Sequence, residues 1–328
     1  MRIFFPFTLV GILLAISWVL SPAMPGFFGI VIPYIAFLVF AGGVIYRVIK
    51  WSFAPVPFRI PTTGGQEKSL PWIKNSFLDN PHNWLGVIGR MALEVLLFRS
   101  LFRNTSAELR GGPRIVYGES KWLWLASLAF HWSFLVILIR HMRFFAEPVP
   151  FFVLALQSLD GFMQIGVPIL YLSDMAFLAA VTYLFIRRIV IPQVRYISLA
   201  ADYFPLFLIL GIGATGVMMR YFTKVDVIKV KELVMSLVTF NAHVPEGIGA
   251  IFFVHLFFVC VLAMYFPFSK LMHLGGVFLS PTRNLANNNR MERHINPWNY
   301  PVKIHTYEEY EEEFKDVMKA ADLPLEKP

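Results

Sequence analysis

Residues 121–145 read KWLWLASLAFHWSFLVILIRHMRFF, and residues 251–276 read IFFVHLFFVCVLAMYFPFSKLMHLGG. Each stretch is apolar over the roughly 20 residues that a helix needs to cross a hydrocarbon core. Each nevertheless carries two histidines: His131 and His141 in the first, His255 and His273 in the second. An imidazole in lipid costs free energy unless something binds it, so ionisable side chains at membrane depth mark functional positions. Ten residues of helix rise ~15 Å and return to within about a quarter turn of the same face; eighteen residues are five full turns and ~27 Å. Four histidines spaced in this way form two pairs at two depths rather than one cluster.

Composition agrees with a chain that lives in lipid. Of 328 residues, 57% are hydrophobic and only 15% charged, and the mean hydropathy is +0.60. Such a chain is predicted to be an all-α integral membrane protein. Six spans are expected, at about 3–20, 27–50, 121–142, 169–190, 200–221 and 248–273. The first is read as a retained helix and not a cleaved signal, because Ser21-Pro22-Ala23-Met24-Pro25 is a turn and offers no A-x-A-like site. The net charge of +8 comes from Lys and Arg gathered in loops at helix ends, which points to lipid and not to nucleic acid. The loop after span two carries Arg59, Lys68, Lys74, Arg90, Arg99, Arg103, Arg110 and Arg114, and the connection after span four carries Arg187, Arg188 and Arg195. Both are assigned to the cytoplasm, which puts both termini there. Lys224, Lys229 and Lys231 in the outer loop run against this rule, partly offset by Asp226 and Glu232.

The chain divides into an N-terminal helix pair (1–50), a cytoplasmic loop (51–120), a four-helix domain (121–275) and a polar cytoplasmic tail (276–328). In the loop, 86–103 sets Leu93, Leu96, Leu97 and Leu101 against Arg90, Glu94, Arg99 and Arg103, the pattern of an interfacial amphipathic helix. Residues 150–168 are apolar but broken by Asp160, Gly161 and Pro168, and read as a short interfacial or re-entrant helix. In the tail, 306–320 places Tyr307, Tyr310, Phe314 and Val317 on one face of an acidic helix.

Cys260 is the only cysteine, so neither a Cys-ligated iron–sulfur cluster nor a C-x-x-C-H haem attachment is available. What remains for paired neutral imidazoles is bis-histidyl, non-covalent haem iron. Zinc or non-haem iron would need its ligands to converge at one point. In the expected topology the third and sixth spans are antiparallel, so His141 pairs with His255 near the outer face and His131 with His273 near the inner face. The unequal rises call for a break at Pro267. His82, His243, His294 and His305, beside Asn or Pro, read as ordinary loop histidines.

The last four spans resemble the cytochrome b subunit of respiratory nitrate reductase, the gamma-subunit family. The ten and eighteen spacings and the PFSKLMH element at 267–273 carry the resemblance over about 121–280. A narrower one covers nearly the whole chain. PVPFRIPTTGGQ at 55–66, RYISLAADYF at 195–204, GATGVMMRYFTKVDVIKVK at 213–231 and SPTRNLANNNRMERHINPWNY at 280–300 are similar to the M subunit of the membrane complex associated with dissimilatory sulfite reductase.

These resemblances imply a four-helix dihaem bundle with two haem b, held by His141/His255 on the outer side and His131/His273 on the inner side. They imply electron exchange with menaquinone or menaquinol, and a cytoplasmic iron–sulfur partner similar to a heterodisulfide-reductase subunit, within sulfite or sulfur respiration. Service to nitrate or heterodisulfide chemistry, or a cofactor-free transporter or anchor, are the alternatives. Arg140 and Arg220 are expected to face haem propionates on the outer side, with Lys270 and Arg195 as weaker inner equivalents. Asp160, Gln164 and Asp174 are the candidate polar groups of a quinone site. The lysine that nitrate-reductase subunits use about twenty residues beyond the outer ligand has no counterpart here, where Asp160 and Gly161 stand.

Overall fold

The computed structural model describes residues 2–54, 76–112, 114–161, 169–288 and 305–326. It is mostly helical. The N-terminal pair is α1 (Phe4–Leu20) and α2 (Ile32–Ser52), the latter entered through a π-helical turn over Phe27–Val31. Next come α3 (Trp84–Leu97) and α4 (Arg99–Phe102), then strands β1 (Thr105–Arg110) and β2 (Arg114–Glu119). Helices α5 (Lys121–His141), α6 (Phe151–Asp160), α7 (Leu172–Val190), α8 (Pro192–Ile197) and α9 (Ala200–Val217) follow. The remainder is α10 (Val227–Val238), α11 (Ala250–Tyr265), α12 (His273–Leu279), α13 (Pro281–Asn284) and α14 (Tyr307–Ala320).

Among the described residues, four helical stretches are long and apolar enough to cross a membrane: Phe27–Ser52, Lys121–Phe144, Ala200–Thr223 and Ala250–Phe268. The protein is therefore a membrane protein. The other two expected spans are helices as well. However, α1 has 17 residues, and α7 carries Asp174 in its first turn with Arg187 and Arg188 in its last.

Helix α5 packs on α7, α7 on α9, and α9 on α11, while α1 packs on both α9 and α11 and α2 lies against α11. Helices α5 and α11 share no comparable backbone interface. Only 6% of the apolar window of α5 is buried, against 22–33% in the other three long helices. The core between α2, α10 and α11 gathers Phe28, Ile32, Leu233, Phe252 and Phe253. A second cluster joins Val10 of α1 to Leu208, Val254 and Phe258.

Three features depart from the sequence reading. The chain is not all-α: β1 and β2 form an antiparallel hairpin, with Thr105 opposite Glu119 and Arg110 opposite Arg114. Gly111 (φ 55) and Gly112 (φ 95) make its tip, a Gly-Gly turn signal inside the loop 51–120. Residues 222–247, expected as a loop, contain α10. Asp226 caps it by accepting from the Ile228 and Lys229 N–H groups, and Val230 and Leu233 bury its apolar face. The amphipathic stretch at 86–103 is two helices, broken at Phe98, which sits in the left-handed region with φ 52.

Residues 162–168, with Gln164, lie outside the described residues, and so does His294. Just before them, α6 ends at Asp160. Along α14 the face bearing Tyr307, Tyr310, Phe314 and Val317 is exposed.

Helix α11 stops at Tyr265 because Pro267 has no N–H to continue the ladder. Two 3-10 turns, Phe266–Phe268 and Lys270–Met272, then carry the chain to His273, the first residue of α12. This break absorbs the mismatch between the two histidine rises. Helix α2 holds it in place. A Cβ on Gly43 would lie 2.7 Å from Pro267 Cβ and 3.1 Å from Phe268 Cζ, and Pro267 is fully buried. Overpacking of this kind costs about 1–3 kcal/mol. Gly43→Leu is expected to lower thermal stability and to disturb the His273 end of the bundle while leaving His255 unaffected. Equal spectral disturbance at both histidine pairs would contradict that local account.

Candidate functional site

His131 and His255 project from within α5 and α11, His141 is the last residue of α5, and His273 is the first of α12. The structure brings His141 to His255, with ring centroids 6.5 Å apart and planes 13° from parallel. It brings His131 to His273, at 6.0 Å and 81°. These are the two pairs that antiparallel helices select. Two metal–nitrogen bonds of ~2 Å and two ring radii span roughly 6 Å in total, so each gap admits one iron with an imidazole on either side.

The hydrogen bonds of the rings favour the same use. His131 Nδ1 lies 2.7 Å from the Ser127 carbonyl oxygen, His141 Nδ1 2.7 Å from that of Ile137, and His273 Nδ1 2.9 Å from that of Lys270. A carbonyl only accepts, so Nδ1 is the protonated nitrogen in each and Nε2 keeps its lone pair. His255 reaches the same state by another route. Its Nδ1 lies 2.9 Å from Thr215 Oγ1, and the Thr215 hydroxyl donates to the Gly211 carbonyl at 2.8 Å. Thr215 therefore accepts from the imidazole. Among the described residues, no Nε2 of the four has a hydrogen-bond partner. A fixed tautomer and orientation are what metal-ligating histidines obtain from their outer partners. A Cβ at Gly216 would make only ordinary van der Waals contact with His255 Cε1, at 3.5 Å. Among the described residues no three His, Cys, Asp or Glu side chains converge on one point.

The His141 end carries a buried polar cluster. The Arg140 Nη1 donates to Asp160 Oδ2 at 2.5 Å, and its Nη2 to Asp174 Oδ1 at 2.7 Å. Asp160 also accepts from the Ser173 backbone N–H at 2.8 Å and the Ser173 hydroxyl at 2.7 Å. Asp174 Oδ2 accepts from the Tyr221 hydroxyl at 3.1 Å. The Tyr171 ring is sandwiched between the Arg140 guanidinium at 3.7 Å and that of Arg220 at 4.0 Å. Arg220 donates to the Ile169 carbonyl at 3.0 Å. Two guanidiniums balance two carboxylates, and α5, α6, α7 and the end of α9 meet there.

Arg140, expected at a propionate, thus commits both arms to carboxylates, because Asp160 and Asp174 fold onto it from two helices. Asp160 is not a free acceptor: besides Arg140 it takes the first-turn N–H of Ser173 and so also caps α7 from outside. Of the inner cations, Lys270 bonds Asp202 at 2.7 Å. The sequence reading missed Thr215, Tyr171, Ser173, Tyr221 and Phe98. Their spacing carries no local signal; only the packing of distant helices gathers them. Of the expected loop histidines, His243 has its Nε2 3.1 Å from Glu232. That contact and the Asn241 carbonyl raise the pKa of His243, the Asn241 carbonyl contributing most.

Fold and site together define a polytopic helical membrane protein built around two facing imidazole pairs. Residues 92–293 match the family described as nitrate reductase gamma subunit, and the chain belongs to that family. It is similar to two curated proteins, both described as "Hdr-like menaquinol oxidoreductase cytochrome b-like subunit". The protein from Archaeoglobus fulgidus is 48% identical over 278 residues, covering 83% of each chain. That from Archaeoglobus profundus is 42% identical over 274 residues, covering 81% of each.

Proposed function

We propose that this chain is the dihaem cytochrome b subunit of a membrane menaquinol-oxidising complex, relaying electrons across the bilayer. The observation that carries the reading is the pair of facing imidazole pairs, each separated by about the span of two iron–nitrogen bonds and two ring radii and each with Nδ1 engaged. Haem b bound at both pairs would supply one-electron redox centres at two depths. The chain's own residues do the rest. Ser127, Ile137, Thr215 and Lys270 hold the four rings, and α5 and α11 stand apart enough to leave the space.

In this reading six helices cross the cytoplasmic membrane, both termini are cytoplasmic, and the last four spans form the haem-binding bundle. Quinol reacts at the His141–His255 end, beside Asp160 and Asp174, with Gln164 as the third candidate polar group from the sequence. The Arg140 cluster serves there to fix the helices around the site and to keep its charges balanced. Electrons leave at the His131–His273 end toward a cytoplasmic iron–sulfur subunit similar to heterodisulfide reductase. The relatives' descriptions support the quinol and heterodisulfide-reductase-like setting; the sequence resemblance supports sulfite or sulfur respiration.

The test is spectroscopic. Purified in detergent and reduced with dithionite, the protein is expected to show low-spin haem b bands, and menaquinol analogues are expected to reduce them. A preparation that binds no haem under conditions where the helices remain folded overturns the proposal.

A further inference from the structure

The end of the bundle that holds His131 and His273 contains a cavity of about 210 Å³ outside the histidine site. Its lining includes Arg90, Arg99, Arg103 and Arg283, set against Asp79 and Glu94. The two carboxylates leave an excess of two positive charges. Arg99 donates to Asp79 Oδ1 at 2.5 Å, and Arg103 reaches the same oxygen. The Arg99 hydrogen bond, with the charges of both arginines, holds the Asp79 carboxyl well down, at about 2. Asp79 is therefore ionised at neutral pH and already counted in the balance.

The donors in this cavity are not exhausted. Arg99 and Arg103 spend Nη1 on Asp79, and Arg283 spends Nη1 on Ser100 Oγ at 3.1 Å. Among the described residues, their Nη2 and Nε atoms have no hydrogen-bond partner. Arg90 is 3% exposed and ties α3 to the tail by donating to the Arg283 and Leu285 carbonyls. Glu94 is occupied by Ser100, whose N–H and hydroxyl both donate to its Oε2. The site is thus a built one: a buried arginine fixes its floor, and three further guanidinium edges from α4, its C-cap and α13 point to one region. Convergent guanidinium forks match the oxygens of a phosphate group.

We propose that this cavity binds a phosphate group, carried either by an anionic lipid headgroup or by a soluble phosphate. The apolar residues Trp84, Leu85 and Ile88 are exposed on α3, which suits a headgroup lying at the interface of the bilayer. The bound group would close α3, α4 and α13 onto each other. It would also be felt at the histidines. Phe98, the left-handed residue between α3 and α4, packs edge-on against His131 with centroids 5.0 Å apart.

The experiment uses the full chain in its purified complex, delipidated in detergent. One arm titrates inorganic phosphate; a second adds short-chain phosphatidic acid; a third adds phosphatidylcholine of the same chain length. Binding is read by calorimetry and by native mass spectrometry. Phosphatidic acid alone bound tightly identifies a lipid site, and inorganic phosphate bound equally well identifies a soluble ligand; either supports the proposal. Arg103→Gln with Arg283→Gln is expected to weaken that binding by about tenfold or more, since charge-assisted guanidinium bonds are lost. Helical circular dichroism should be unchanged. The corresponding pair of lysine substitutions keeps the charge without the fork and should fall between. The wild-type measurement needs no variant. Should wild type bind neither phosphate nor phosphatidic acid better than phosphatidylcholine, the proposal is overturned. It is equally overturned if the glutamine pair binds as wild type does.

Discussion

Replacing His255 by alanine is expected to remove the same haem as replacing His141, while His131→Ala and His273→Ala remove the other. The pairs are 6.5 and 6.0 Å between ring centroids, and among the described residues no other histidine ring packs against either pair. A six-coordinate haem held by two imidazoles loses its place when one is deleted, so each variant should retain about half of the bound haem. Haem quantitation with reduced spectra of the four single variants checks this. If His131→Ala and His255→Ala abolished the same spectral component, the pairing would be wrong. Thr215→Val is a milder probe of the same geometry. It removes the hydroxyl that accepts from His255 Nδ1, and loss of such an outer partner weakens binding by about 10–100-fold. The effect should be confined to the component shared with His141.

The second large effect is expected at Arg140. Its side chain is 10% exposed, and the Asp160 and Asp174 side chains are 6% and 13% exposed. Removing one partner of a buried ion pair strands the other charge, at about 3–5 kcal/mol. Arg140→Ala leaves two carboxylates facing each other, so a marked drop in thermal stability in detergent is expected, with loss of order around His141. Arg140→Lys restores charge but cannot bridge both carboxylates, and should recover only part of the loss. Arg140→Met combined with Asp160→Asn leaves one carboxylate, Asp174, for the one remaining guanidinium of the cluster, Arg220, and should recover more. An Arg140→Ala protein as stable as wild type would show that the cluster is not holding these helices together. The measurement separates a structural tie from a pure redox role, because it is read on unfolding and not on turnover.

The two predictions share a physical basis. Both concern groups that lipid would penalise if left alone. The histidines are tolerated at depth because each ring has one nitrogen satisfied by the chain and the other available to a metal. The arginine is tolerated because two helices bring carboxylates to it. The first arrangement leaves one nitrogen of each ring without a partner among the described residues; the second closes on itself. That difference separates the pairs proposed to bind haem from the cluster that fixes the scaffold.

Much of this was determined by the sequence alone. Apolar runs of spanning length fix the long helices, because lipid offers no partner for an open backbone. The ten and eighteen spacings fix two histidine pairs, because helical rise and rotation are local properties. Pro267 fixes the break before His273, because a missing N–H acts wherever it stands. Other features were decided only by tertiary structure. Arg140 reads in the sequence as a haem-propionate contact, and only the fold brings Asp160 and Asp174 to it from α6 and α7. Thr215 is one polar residue among apolar neighbours until α9 packs beside His255. The amphipathic helix at 86–103 divides at Phe98, where the chain accepts a left-handed residue and the ring comes to rest against His131. The arginine-lined cavity draws its walls from residue 79 to residue 283. In each case the partner lies twenty or more residues away, and a pattern of local propensity carries no information about which distant charges or rings will meet.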